Sequence, residues 1–184
     1  MPLNRVRHNR FALKVAKDCL NELLWDAMGR PQQIPSGMLG MLPVYSIPHE
    51  RLLRGQYHRS WRSGWRYFWL PVEADAGAVV EVIRTDAGGA RLGYFSYGRA
   101  AARLAGQLER AEKSHKADRI RLRPRILSLG PTQMEALWLN ERGRSGENRF
   151  ESLLPLSDGK GFVEMALDRY QKMATAQLSK KLSP

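Results

Sequence analysis

At 184 residues, with 43% hydrophobic and 26% charged side chains, the chain has the composition of one folded domain over 1–184, not of a disordered protein. Its 30 Lys/Arg against 18 Asp/Glu give a net charge of +12, which bears on partners and not on fold. A lone cysteine excludes an intrachain disulfide, and no uncharged apolar run is long enough for a membrane-crossing helix, so no membrane span and a cytoplasmic location are expected.

The excess charge is uneven. Residues 1–66 hold 11 Lys/Arg and 4 Asp/Glu, residues 67–118 hold 7 of each, and residues 119–184 hold 12 and 7. Two basic flanks around a neutral middle favour nucleic acid or an acidic protein as partner. Arg5, Arg7, Arg10, Lys14 and Lys17 precede the first acid, Asp18, without the apolar run of a secretory signal; a mitochondrial transit peptide is the alternative reading of such a start.

In chain order, Val15, Ala16, Cys19, Leu20, Leu23, Leu24 and Ala27 recur at helical spacing, and Gly29 and Pro31 stop the helix they predict. Cys19 lies on that stripe and is expected to be buried and slow to react. Residues 31–48 are apolar and broken by Pro31, Pro35, Pro43 and Pro48, so an irregular, packed segment is expected. Its methionines would also suit contact with a partner protein.

From Arg51 to Tyr67 five arginines interleave with Tyr57, Trp61, Trp65 and Tyr67. Arginine pairs with phosphate and flat rings stack on unpaired bases, so Arg51, Arg54, Arg59 and Arg62 are candidate anion-binding residues and Tyr57 and Trp61 candidate stacking residues. The alternation of Trp65, Tyr67 and Trp69 equally fits one core-facing side of a strand. Two further strands, Ala78–Ile83 and Ala90–Phe95, flank Thr85-Asp86-Ala87-Gly88-Gly89 and predict a hairpin. Ser96 is expected to cap a following helix with Ala100, Ala101, Leu104, Ala105, Leu108 and Ala111 on its stripe.

The run Arg119-Ile120-Arg121-Leu122-Arg123-Pro124-Arg125-Ile126 places an arginine at every second position. As a strand, it aligns Arg119, Arg121, Arg123 and Arg125 as one exposed guanidinium row, with Ile120, Leu122 and Ile126 buried behind it. Forked, permanently charged donors suit phosphate or carboxylate. Pro124 suggests a sheet edge or a bulge. Two more strands, near Met134–Leu139 and Phe150–Leu154, precede a last helix over about 161–178.

The order α-βββ-α-βββ-α predicts an α+β fold, with a mostly antiparallel sheet and helices packed on one face. Catalytic motifs are absent. His8, His49, His58 and His115 lack zinc spacing, and the glycine runs match neither a dinucleotide nor a phosphate loop, so no metal and no cofactor are expected. The expected function is non-catalytic binding of an anionic partner, nucleic acid first. The alternatives are a protein-interaction module using 31–48, or an enzyme acting on an anionic small molecule near Ser96 and His49.

Overall fold

Ala12, Ala16 and Leu20 stand four residues apart in helix α1 (Arg10–Met28), and all three are buried. That spacing lays a single stripe of the helix on the sheet. The strands are β1 (Gly37–Ser46), β2 (Trp61–Pro71), β3 (Gly77–Arg84), β4 (Ala90–Gly98), β5 (Leu122–Leu129), β6 (Met134–Arg142) and β7 (Asn148–Pro155). A short helix α2 (His49–Leu53) follows β1, and α3 (Ala100–His115) joins β4 to β5. The computed structural model describes residues 10–28, 37–56, 59–71, 76–115, 122–129, 134–142 and 148–156. The helix expected over 161–178 lies outside them, as do Tyr57, His58, Arg119, Ile120 and Arg121.

The seven strands form one mixed sheet in the order β4-β3-β2-β1-β5-β6-β7, so the fold is α+β. Neighbouring strands are antiparallel, except that β1 and β5 run parallel through Val44–Ile126, Tyr45–Leu127 and Ser46–Ser128. The predicted hairpin joins β3 to β4. Its turn closes through Gly88 N–H to Thr85 O and Thr85 N–H to Gly89 O, with Gly88 at φ 78°, where a side chain would be strained.

The sequence expectation needs two corrections. Segment 31–48 is not irregular throughout, because Gly37–Ser46 forms β1 between β2 and β5. The residues that read as breakers have local reasons to be there. At Gly40 the Phe68 ring fills the space that a Cβ would need. Pro43 comes just before the ladder to β5, where β2 is the one described strand paired with β1.

Helices α1 and α3 also do not share a face. Strand side chains alternate, and here they sort into separate cores. Phe68, Val79, Leu42, Val44, Ile126, Leu137 and Leu139 pack with Ala101, Leu104, Leu108 and Ala111 of α3. Their neighbours Trp65, Tyr67, Trp69, Ala78, Val80 and Val82 pack with α1 on the opposite side. A third cluster on the α1 side joins Ile47 and Leu52 of the α2 corner to Leu127, Leu129, Ala136 and Trp138. Each large buried side chain contributes about 1.5–3 kcal/mol, so both faces stabilise the sheet.

Candidate functional site

On the α1 side, side chains from four adjacent strands form a band of arginine and aromatic groups. Arg62 of β2 is exposed, and its guanidinium lies 5.3 Å from the centre of the buried Trp65 ring. Tyr45 of β1 is the register partner of Arg62. Arg125 of β5 lies 4.8 Å from the Tyr45 ring and 5.1 Å from the Trp138 ring of β6. The Tyr45 and Trp138 rings meet edge to face at 5.8 Å. Cation–π contact of this kind orients a guanidinium over the ring face. Arg123 shares strand parity with Arg125 and is half-buried.

Helix α2 docks on the same side through Leu52 and carries Arg51, with Arg54 at its C-terminal end. Arg51, Arg54 and Arg59 are all exposed, and Arg51 Nη1 donates to the Arg59 carbonyl at 3.5 Å. Trp61, at the start of β2, is 53% exposed. Thus Arg51, Arg54, Arg59, Arg62 and Trp61 surround the α2 corner, and Arg123 and Arg125 extend the band across β5. Arg119, Arg121 and Tyr57 lie outside the described residues.

The arginine strand departs from expectation in one respect. Ile126 is buried, but Arg123 and Arg125 are half-buried where a mostly exposed row was expected. β5 is an interior strand, and its arginine side is shared with Leu127 and Leu129 of the third cluster. Pro124 is accommodated because the β1 ladder covers Ile126–Ser128, leaving β6 as the paired strand at Pro124.

The α3 side holds a second constellation that sequence reasoning missed. Arg66 of β2 is buried and bridges two carboxylates. Its Nε donates to Glu81 Oε2 at 3.1 Å, Nη2 donates to Glu81 Oε2 and Glu135 Oε1, and Nη1 donates to Glu135 Oε2. Burial by itself lowers the guanidinium pKa, but the hydrogen bond and charge of Glu135, reinforced by Glu81, raise it above the ordinary arginine value. Glu81 is the register partner of Arg66 on β3, whereas Glu135 sits on β6, beyond β1 and β5. The alternation of Trp65, Tyr67 and Trp69 carried half the signal, since it turns Arg66 to the other face. The partner 69 residues away had none.

This triad borders a cavity of about 470 Å³. Val79, Ala100, Leu104 and Leu156 supply apolar wall, and Tyr94, Arg103 and Ser128 complete the polar lining.

Ser96 and His49 do not line that cavity. Ser96 does not cap α3 either: it lies in the β4 ladder opposite Val79, and the helix starts at Ala100 after Gly98, whose φ is 146°. His49 opens α2, after β1, with β2 and β3 lying between β1 and β4. Cys19 is half-buried; burial, then the charges of Glu22 and Asp18, push its thiol pKa up. Under α1, the Tyr67 hydroxyl and Trp65 Nε1 are buried without a hydrogen-bond partner among the described residues, and burial pushes the phenol up to about 12.

Among the described residues no group of His, Cys, Asp or Glu is placed to hold a metal ion, and no helix is long and apolar enough to cross a membrane. Compared with known proteins, the chain matches no family model and shows significant similarity to no curated protein and no solved structure.

Proposed function

We propose that the protein binds nucleic acid without catalysis, through the α1 side of the sheet between α1 and the α2 corner. The observation that carries this reading is that arginines from both basic regions stand on one face, Arg62 over the Trp65 ring and Arg125 over the ring of Tyr45, the register partner of Arg62. Phosphates would pair with guanidiniums already oriented by rings, and Trp61 offers an exposed stacking surface beside Arg59 and Arg62. A single strand fits better than a duplex, because stacking on Trp61 needs an unpaired base. Arg51, Arg54 and Arg123 add charge around the same band, and Arg119, Arg121 and Tyr57 remain part of the proposal by sequence.

The packing of β1 weighs against a protein-interaction role for 31–48: Met41, Leu42 and Val44 already contact the two large clusters. The separation of Ser96 from His49 weighs against an active site built on them.

The test is a fluorescence titration of single- and double-stranded oligonucleotides at two salt concentrations. Replacing Arg51, Arg54 and Arg62 with glutamine flattens the salt dependence by about one slope unit for each phosphate that is no longer neutralised. Trp61→Ala weakens single-strand binding by roughly 1–3 kcal/mol with little change in slope. If wild-type protein binds no more tightly than polylysine of matched charge, the proposal fails.

A further inference from the structure

Among the described residues five large hydrophobic side chains are exposed, and three of them, Leu92, Tyr94 and Tyr97, belong to β4. β4 is an end strand of the sheet, and no described strand lies beyond it. An end strand carries outward-pointing backbone N–H and C=O groups without a ladder partner, which makes it a template for one more strand. The apolar side chains flank that edge on both faces of the sheet. Leu92 and Tyr97 pair with Val82 and Ala78 on the α1 side, whereas Tyr94 pairs with Glu81 on the α3 side. A strand laid beside β4 finds an apolar neighbour for its side chains on either face.

Charge selects which strand this is. Arg84, Arg91 and Arg99 are exposed at the two ends of the edge, and none is in an ion pair among the described residues. The acids of the same hairpin are Asp86, in the turn, and Glu81, whose carboxylate is already bound by Arg66. Three arginines against Asp86 make the edge positive. The helices packed on β4 do not reverse that sign, since α1 carries three Lys/Arg and three Asp/Glu, and α3 three and two. A second copy of the chain would bring the same positive edge and the same net charge of +12, so the edge repels it. A nucleic acid answers the charge but has no alternating N–H and C=O groups to complete a ladder.

The shape of β4 restricts the contact further. Gly93 is the extra residue of a bulge, because Leu92 pairs with Val82 and Tyr94 with Glu81, and the Ile83 side chain occupies the space that a Cβ would need. Residues 94–98, opposite 77–81, are the regular run available for pairing. Bulges and edge charges prevent indiscriminate strand addition, so the strand that does add is one whose charge answers the arginines. We propose that β4 is a docking edge for an acidic, extended segment of a partner protein, which joins the sheet as a further strand.

Fluorescence anisotropy of the full chain with a labelled peptide of about eight residues, alternating glutamate and valine, tests the assignment. It binds with half-saturation below about 100 µM. The same peptide N-methylated at every residue keeps its charge but donates no backbone hydrogen bond, and it does not bind; nor does an alternating lysine and valine peptide. Replacing Arg91 and Arg99 with glutamate weakens the acidic peptide at least about tenfold, and Tyr97→Ser weakens it several-fold, in variants that circular dichroism shows to be folded. No binding up to about 1 mM overturns the proposal, as does equal binding of the N-methylated peptide, which would leave charge as the whole of the attraction. A wild-type dimer in sedimentation that the Arg91→Glu, Arg99→Glu variant loses makes the occupant a second copy and also overturns it. The same holds if that variant loses oligonucleotide affinity with peptide binding unchanged. Trp61→Ala leaves the peptide unaffected, so failure of this proposal and failure of the nucleic-acid proposal are read separately.

Discussion

Replacing Tyr67 with phenylalanine changes one atom in a site where the structure makes two opposing demands explicit. The ring belongs to the core under α1, while the hydroxyl is buried with no hydrogen-bond partner among the described residues. An unsatisfied buried hydroxyl carries a desolvation penalty of about 1–3 kcal/mol. Its removal therefore stabilises the protein at neutral pH, by about 1 kcal/mol once the missing packing of one atom is subtracted. At high pH the balance grows.

The phenol is raised from 10.0 to about 12 by burial, so the unfolded chain loses its proton first. Stability from Tyr67 is complete below pH 10 and falls as pH rises through the window up to about 12. Linkage gives a loss of about 1 kcal/mol at pH 11 and about 3 kcal/mol above both values. Phenylalanine has no such loss. Urea unfolding of both proteins at pH 7, 9 and 11 measures the difference, which cancels contributions from other titrating groups. A Tyr67→Phe advantage that does not grow between pH 9 and pH 11 would refute the argument, as would tyrosinate absorbance showing Tyr67 ionising near 10.

Arg66→Met leaves Glu81 and Glu135 without their shared guanidinium and lowers stability by about 3–5 kcal/mol in urea titration, most of it recovered when both glutamates are also changed to glutamine. A loss below about 1 kcal/mol would mean that the ion pairs behave as solvated surface contacts. Two glycines give opposite signs. Gly64→Ala drives a Cβ against the Val82 backbone carbonyl and destabilises or unfolds the protein, whereas Gly106→Ala, in open space within α3, stabilises it by about 0.5–1 kcal/mol; thermal melts distinguish them.

What could be read from the sequence was what repeats at short range. The stripe Val15, Ala16, Cys19, Leu20 and the alternation Trp65, Tyr67, Trp69 are periodic, and so α1 and β2 were legible, as were the β3–β4 hairpin and the α3 stripe. β1 was not, because Gly40 and Pro43 read locally as breakers. Their tolerance comes from Phe68, far along the chain, and from a β5 ladder that starts one residue later. The face each helix covers was hidden for a similar reason. An amphipathic stripe says that a helix is covered, not which side of a sheet covers it. In the arginine band, residue types were visible but the contact of Arg125 with Tyr45 was not, since Tyr45 lay in a segment read as irregular. Glu135 is an ordinary strand glutamate until the fold brings β6 within reach of Arg66.

The parallel seam between β1 and β5 gives the covalent order of the chain a particular weight. β1 to β4 form one meander of antiparallel neighbours and β5 to β7 another, each built across turns or short connections. Their junction is three residue pairs long, and closing it encloses β2, β3, β4 and α3 in a single loop. Loop closure over that length is entropically costlier than any hairpin in the sheet, and three pairs of ladder offset it only in part. The rest comes from what straddles the seam: Arg66 reaching Glu135, Arg125 against Tyr45, and the Leu42, Val44, Ile126 and Leu137 core. The same side chains that line the cavity and the arginine band are therefore the stitches between the two halves of the molecule.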